Sequence, residues 1–522
     1  MIAPGADVNM RDVSVVGAVA YITIRPVRAD RIALAVLVLT TLLSPWQREL
    51  FAGDETKYSQ VVREMRAGAF FLPTLEGSPF THKPPVHFWL VDLLTYPFGV
   101  YSIWPFVIPS LVAFALLLWL LWRMEGPLAA FVAGSSLMLW GSAQTARMDV
   151  SFTALLVYAA WMLQRAFDGE RTLVRAALAT GIATLVKGPM APVIIVCLFA
   201  FEALRRRRLP EDHRYGRALG AMIVIPLAWL VAAVSIGGRE FWREVFFKQT
   251  VGRAVGSWVH QSPPWFYVLR APLTLLPWFF LLVVAIVAIY KRNDERAKFY
   301  VSWIAAVIVP YSLLSSKLDV YMMAMIPPVA LAIARLLPVE DRFTRWGKNA
   351  NAFMAAIFLL IGVAGLVIQH PELAKYPVRP LFAVLAVAAL AALVVAIRGR
   401  LVTSTIALGF VAIAALAYAA IALVPLANEL ASSKPLVRTL AQQNVPPEQM
   451  ALYVCPHLWA RGMPPSLERV RYVNKEELLA MDPPRLIVAR RKDSGEIRDL
   501  LSQYQRVGEL QMIGKWFDVY RR

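Results

Sequence analysis

Cysteine is almost absent. The chain has two in 522 residues. Cys197 lies inside an apolar run and Cys455 in a polar tail, so neither a disulfide framework nor a cysteine-based metal site is expected. Histidine is scarce as well, at six, and no His/Asp cluster has metal-site spacing. No cofactor is evident, although a divalent ion remains compatible with the residues present. Acidic residues are outnumbered, 35 against 54 Lys and Arg, which leaves a net charge of +19. There is no Walker loop, no Rossmann glycine pattern and no nucleophile elbow. A nucleotide-fuelled mechanism therefore has no visible site, and energy must come from the substrate or from a gradient. No nucleic-acid motif, internal repeat or low-complexity segment accompanies the positive charge.

Apolar sequence is what the chain has in abundance, at 58% of residues and a mean hydropathy of +0.55. Apolar runs of roughly 17–25 residues are the signature of membrane-spanning helices. Thirteen such runs fall near 31–50, 103–123, 127–144, 149–165, 173–187, 189–204, 217–236, 265–290, 297–314, 319–337, 349–369, 378–397 and 402–426. In lipid every backbone N–H and C=O must be satisfied internally, so continuous runs of this kind read as helices. A β-barrel would alternate in segments of about ten residues instead. The expected fold is an α-helical polytopic membrane protein.

The excess of Lys and Arg then acquires a reading, because cytoplasmic loops collect positive charge and anionic head groups attract it. The strongest basic loops are Arg205–Arg208, Lys291-Arg292, Arg342–Lys348 and Arg398-Gly-Arg400. They alternate with the spans so that all fall inside. Residues 1–30, with Arg11, Arg25 and Arg28, read as a cytoplasmic lead-in rather than a signal peptide. Parity puts loops 51–102 and 237–264 outside, together with the tail. Segment 85–98 would begin and end on one side, so it reads as re-entrant or interfacial. Span region 31–426 is followed by residues 427–522 of different composition. Short alternating segments at Ala451–Cys455, Arg469–Val473, Arg485–Ala489 and Trp516–Tyr520, with helical stretches near 474–481 and 495–504, predict a small α/β domain.

Costly polar residues collect on the outer side. Asp54-Glu55 follows the first span, as an N-cap or as carboxylates acting on a lipid-borne substrate. Val61, Val62 and Met65 share one face of the next stretch, which suits a helix on the membrane surface. Lys83 precedes Pro84-Pro85, either snorkelling to head groups or held stiffly for a lipid phosphate. Arg147-Met-Asp149 could be a local ion pair or a helix cap. Lys187 lies at the turn between two apolar spans, where an ionisable group is a functional candidate by default. Lys248, Arg253 and His260 lie in the long loop 237–264, and Ser316-Lys317-Leu318-Asp319-Val320-Tyr321 re-enters the membrane. Cations fit phosphates, while carboxylates fit sugar hydroxyls, amines or proton transfer.

Taken in order, Gly53-Asp54-Glu55-Thr56-Lys57-Tyr58, Lys83-Pro84-Pro85-Val86-His87-Phe88-Trp89, Arg147-Met148-Asp149, Lys187-Gly188-Pro189, Arg253 with His260 before Trp265-Phe266-Tyr267, Pro277-Trp278 and Ser316-Lys317-Leu318-Asp319-Val320-Tyr321 form a set. This set resembles the aminoarabinose (lipid A modifying) transferase family, GT-C glycosyltransferases related to protein O-mannosyltransferases. The resemblance covers about 50–330. It implies a GT-C fold of about thirteen spans with a periplasmic C-terminal domain, in the bacterial inner membrane. It also implies an inverting transfer of 4-amino-4-deoxy-L-arabinose or a related sugar from undecaprenyl phosphate to lipid A phosphate or another envelope acceptor. By position, Asp54 and Asp149 match the catalytic acids. Tyr58, Lys83, Arg253 and Tyr321 match the lipid-phosphate pocket, and Glu55, Lys187, His260 and Lys317 fall to the cavity. Ala324, where the family commonly has proline, and Lys248-Gln249, where it has an acid, leave the donor sugar open. A monomer is expected, with membrane lipids around it and no nucleic acid. The rivals are a protein O-mannosyltransferase-like enzyme, a ligase or polymerase of lipid-linked glycans, a flippase, and a non-enzymatic scaffold. A transporter would show paired halves and midplane charges.

Overall fold

The computed structural model describes residues 28–245, 262–368 and 376–522. Lys248, Arg253 and His260 lie outside the described residues. Ten helices build the first half: α1 (Arg28–Thr40), α2 (Asp54–Glu64), α3 (Val86–Phe98), α4 (Trp104–Glu125), α5 (Pro127–Gly134), α6 (Leu137–Ala143), α7 (Asp149–Phe167), α8 (Leu173–Lys187), α9 (Met190–Arg206) and α10 (Tyr215–Arg243). The second half continues with helices at Phe266–Thr274, Phe279–Lys291, Glu295–Leu313, Ile326–Leu336, Arg342–Val367, Arg379–Arg398 and Leu401–Tyr418.

Among the described residues each of the thirteen apolar runs is helical over part or all of its length, the first only as far as Thr40. Among the described residues seven helices are long and apolar enough to cross a membrane, and an eighth if Phe266–Thr274 and Phe279–Lys291, bent by 110°, count as one span. The others are shorter or interrupted. The run 127–144, for instance, breaks at Ser135-Ser136 into α5 and α6. Helix α3, at 13 residues, reaches only about 20 Å at 1.5 Å per residue and falls short of a bilayer core of about 30 Å.

The bundle has one large apolar cluster, with α7 and α8 packed side by side against α4 and α9, and the tail sheet has two smaller ones of its own. Val61 and Val62 of α2, and Met65 directly after it, are wholly inside the large cluster. The apolar face of α2 is thus covered by protein rather than by lipid, contrary to the surface-helix reading. Amphipathic periodicity gives a buried face but does not say what buries it.

The loop after α2 carries a hairpin of β1 (Thr74–Leu75) and β2 (Ser78–Pro79). Its Glu76-Gly77 turn has both φ angles positive, 55° and 74°, as a two-residue hairpin turn requires. The tail holds a five-stranded mixed sheet of β3 (Met450–Tyr453), β4 (Arg471–Val473), β5 (Leu486–Arg490), β6 (Gln505–Met512) and β7 (Lys515–Arg521), in the order β4-β3-β5-β7-β6. Four strands and both helical stretches match the expected pattern. Strand β6 does not, because it is an edge strand on which only Leu510 and Met512 are buried, and its register shifts between Arg506 and Gly508.

Charges at the end of the bundle remote from Asp149 are more than basic loop residues. Glu202 is buried between Arg205 (2.8 Å) and Arg206 (2.9 Å), and Arg335 joins Asp294 (2.8 Å) to Glu125 (3.5 Å). Glu202 shares α9 with its two arginines, whereas Asp294 and Glu125 reach Arg335 from other parts of the chain.

Candidate functional site

Three helix ends meet at one end of the bundle. Asp54 opens α2, Asp149 opens α7 and Lys187 closes α8. Carboxylates at helix N-termini and an ammonium at a C-terminus are each favoured by the helix dipole. Gly53 makes the first of these possible, since its φ of +115° suits only glycine. Gly188, at φ +105°, turns the chain away directly after Lys187.

The side chains form a linear chain of charge. Lys187 pairs with Asp149, Asp149 with Arg147 (3.1 Å), and Arg147 with Asp54 (3.6 Å). Asp149 is 4% exposed and Asp54 50%, so the inner carboxylate is fully committed and the outer one faces open space. Gly53 holds the N-cap position and Asp54 is the first residue of α2, so Asp54 is not the N-cap. The turn before α7 is pinned, with Ser110 donating to the carbonyls of Thr145 and Arg147, both at 2.8 Å. Burial opposes the charge of Arg147, but Asp149 and Asp54 outweigh it and hold its pKa above the ordinary value. Tyr58 is buried beneath this chain with its ring edge-on to Phe88 at 5.3 Å. Desolvation first, then the charges of Asp54 and Asp149, push its phenol up, so it stays protonated.

A cavity of about 400 Å³ opens beside Lys187, and Lys83, His82, Trp229, Tyr311, Ser316 and Tyr321 also line it. Tyr321 stacks on Tyr311 with centroids 4.9 Å apart. The Lys187 ammonium sits 5.1 Å from the Tyr321 ring centre and 5.3 Å from that of Phe152, in range of cation–π attraction. A second cavity, of about 510 Å³, is lined by Arg147 together with Ser142, Thr145, Arg270 and Asp319. Arg270 grips Asp319 there with both nitrogens, at 2.8 and 2.6 Å.

The structure thus brings together Asp54, Tyr58, Lys83, Asp149, Lys187 and Tyr321. Two further candidates serve the framework instead. Glu55 is buried, pairs with Arg48 and accepts from the backbone N–H groups of Phe51 (2.8 Å) and Ala146 (2.6 Å). Its oxygens are spent on protein, and it joins the start of α2 to the turn before α7. Lys317 is also buried and donates to the carbonyls of Ser262 (2.9 Å) and Leu314, rather than into the cavity. Sequence reasoning overlooked Arg48, Tyr311 and Arg270, and the bridging role of Arg147. Arg48 had a signal, because an arginine ends the first span away from the basic loops. Tyr311 had none, lying in an apolar run. Among the described residues no group of three or more His, Cys, Asp or Glu could hold a metal ion.

A helical bundle with charged groups gathered at one end near two cavities, and a small sheet beside it, is the architecture of a polytopic membrane protein. The solved structure of ArnT from Cupriavidus metallidurans bound to undecaprenyl phosphate superposes with a TM-score of 0.71 over 94% of this chain and 97% of that one, at 17% identity. Its apo form gives 0.70 at 18% identity over the same shares. In sequence the chain is similar to aminoarabinose transferases. The undecaprenyl phosphate-alpha-4-amino-4-deoxy-L-arabinose arabinosyl transferase 2 of Proteus mirabilis is 27% identical over 364 residues, 66% of this chain and 65% of its own length. The corresponding transferase of Edwardsiella ictaluri is 27% identical over 371 residues, 67% and 66% of the two chains. The matched region therefore spans about two thirds of these relatives' length. Residues 82–229 match the family model described as dolichyl-phosphate-mannose-protein mannosyltransferase.

Proposed function

We propose that the chain is an inverting glycosyltransferase. It moves 4-amino-4-deoxy-L-arabinose or a related sugar from undecaprenyl phosphate to a lipid A phosphate or another envelope acceptor, at the periplasmic face of the bacterial inner membrane. The observation that carries this reading is the Lys187–Asp149–Arg147–Asp54 chain, with Lys187 on the wall of one cavity and Arg147 on the wall of another. The names of the relatives supply the donor and the sugar class. The excess of basic residues at the opposite end of the bundle supports the periplasmic assignment.

The chemistry follows from the charges. A phosphate oxygen of the acceptor forms the new bond to the anomeric carbon, and the bond from that carbon to the polyprenyl phosphate oxygen breaks. The leaving phosphate keeps the electron pair and gains one negative charge. Lys83 and Lys187, at the wall of the cavity that Tyr321 also lines, are fixed cations for that growing charge. Preorganised cations in a site poor in water are worth far more than in bulk solvent. Attack from the far side, through the cavity of Arg147 and Arg270, inverts the anomeric centre. A phosphate acceptor is already anionic and needs no base, which leaves Asp54 to orient the sugar and to stabilise positive charge growing on its ring.

The match of residues 82–229 to the mannosyltransferase model favours a second reading, in which a different polyprenyl-linked sugar goes to a hydroxyl. Asp54 would then remove the hydroxyl proton as general base. The deciding experiment is mass spectrometry of lipid A and envelope glycans from cells with and without the gene. A gene-dependent mass increment identifies both sugar and acceptor. Its absence from every fraction, together with no transfer by purified enzyme from undecaprenyl phosphate-aminoarabinose, overturns the proposal.

A further inference from the structure

The C-terminal sheet region supplies no group to the charge chain, yet one of its loops is built into the support of that chain. The loop follows β3. Its Trp459 is fully buried in the core of the membrane bundle, 6.0 Å edge-on from Phe106, and donates from Nε1 to the carbonyl of Val100 at 3.1 Å. Two residues on, Arg461 donates from Nη1 to the Trp46 carbonyl (2.9 Å) and from Nη2 to those of Pro45 (3.2 Å) and Arg48 (2.9 Å). Its own N–H goes to Glu49 at 2.8 Å. These carbonyls lie in the turns and irregular chain after α1, which ends at Thr40, and buried backbone carbonyls there need donors from elsewhere.

From there the contacts lead directly to the site. The Arg48 side chain reaches the Gln144 carbonyl (3.0 Å) and Glu55. Glu55 in turn holds the N–H of Ala146. Asp54 neighbours Glu55 and Arg147 neighbours Ala146. The Asp54–Arg147 contact, at 3.6 Å, is the longest in the charge chain, so it tolerates the least drift between α2 and the turn before α7.

We propose that Arg461 is a positioning residue for the transfer site. It fixes the backbone of residues 45–48 and, through Arg48 and Glu55, the separation of Asp54 from Arg147. The proposal deepens the transferase reading and rests on it for its kinetic arm only. A misplacement of about 1 Å remote from the chemistry can cost on the order of 100-fold in rate, so a loosened clamp is expected to lower kcat about tenfold or more.

The test uses the full chain in lipid nanodiscs, with Arg461→Gln, Arg461→Lys and, as a control in the same region, Arg469→Gln. Arg469 pairs with Glu448 at the surface. Hydrogen exchange followed by mass spectrometry reads residues 54–64 and 144–149. Arg461→Gln should speed exchange in both segments and lower kcat about tenfold, with the donor KM within twofold. Arg461→Lys should recover part of each effect, because it keeps the charge but loses the planar fork. Arg469→Gln should change neither. Unchanged exchange at 54–64 and 144–149 in Arg461→Gln, or a change confined to 427–522, overturns the proposal. Should Arg461→Gln fail to fold, the decision passes to Arg461→Lys, whose exchange at the two segments must lie above wild type. If wild-type protein transfers no sugar, the function reading fails, and the exchange arm still decides the role of Arg461.

Discussion

Replacing Glu55 with Gln separates a structural carboxylate from a substrate-binding one. Glu55 is 7% exposed and its partner Arg48 3%. Gln preserves the shape but removes the charge, so Arg48 is left buried with only the Gln144 carbonyl and the Phe51 ring, 4.4 Å from its guanidinium carbon, as partners. Breaking a buried ion pair by removing one member costs about 3–5 kcal/mol, because the surviving charge is uncompensated. The Phe51 and Ala146 N–H groups compete for the single remaining amide oxygen, which adds about 1 kcal/mol. A loss of roughly 4–6 kcal/mol is therefore expected. Arg48→Met should cost a similar amount. The double variant should recover about 1–3 kcal/mol relative to the sum of the two, since contacting residues couple in that range. The assay is reversible unfolding in mixed detergent micelles, with transfer kinetics run in parallel. Costs that add without coupling would refute the pair as the link. Unchanged stability with a raised donor KM would show that Glu55 binds substrate after all.

Three further expectations follow from the same geometry. Asp54→Asn should abolish transfer while the protein stays folded and inserted, because a half-exposed ion pair contributes at most about 1 kcal/mol; full activity in this variant would remove Asp54 from the reaction. Lys83→Ala should weaken undecaprenyl phosphate binding by about 10–100-fold, the value of one hydrogen bond to a charged group, as read by titration in native mass spectrometry, and unchanged affinity would take Lys83 out of the pocket. In the C-terminal sheet, burial raises the pKa of Asp518, but ion pairs with Arg491 and Arg506 more than reverse this and hold it below the usual carboxylate value. Its contribution to stability is therefore complete above about pH 4, the unfolded value, and is lost as pH falls toward the folded pKa. Acid unfolding of Asp518→Asn should show a smaller loss in that window, and an identical pH profile would contradict the pairing.

Hydropathy and spacing by themselves determined that the chain is a helical membrane protein. They also marked the apolar segments that are helical wholly or in part among the described residues, the short α3 and four of the five strands of the tail, while the six residues gathered around the charge chain stood out by their costly positions and by family resemblance. These are properties of neighbouring residues. An apolar run must satisfy its own backbone in lipid, and a two- or three-residue motif keeps its geometry in any context. Only the tertiary structure decided how the charges are partnered. Glu55 and Asp54 are adjacent in the chain and equally acidic, yet one is spent on Arg48 and the Ala146 N–H while the other faces open space. Lys317 and Lys187 both end apolar runs, but one points at backbone carbonyls and the other at Asp149. Arg147 reads as a local partner of Asp149 until the fold brings Asp54 to its other side. The tail reads as a separate unit until Trp459 and Arg461 are found inside the membrane bundle's own support. Buried ions are stable only when paired, and which pairs form is settled by segments that meet across dozens to hundreds of residues, beyond the reach of any local pattern.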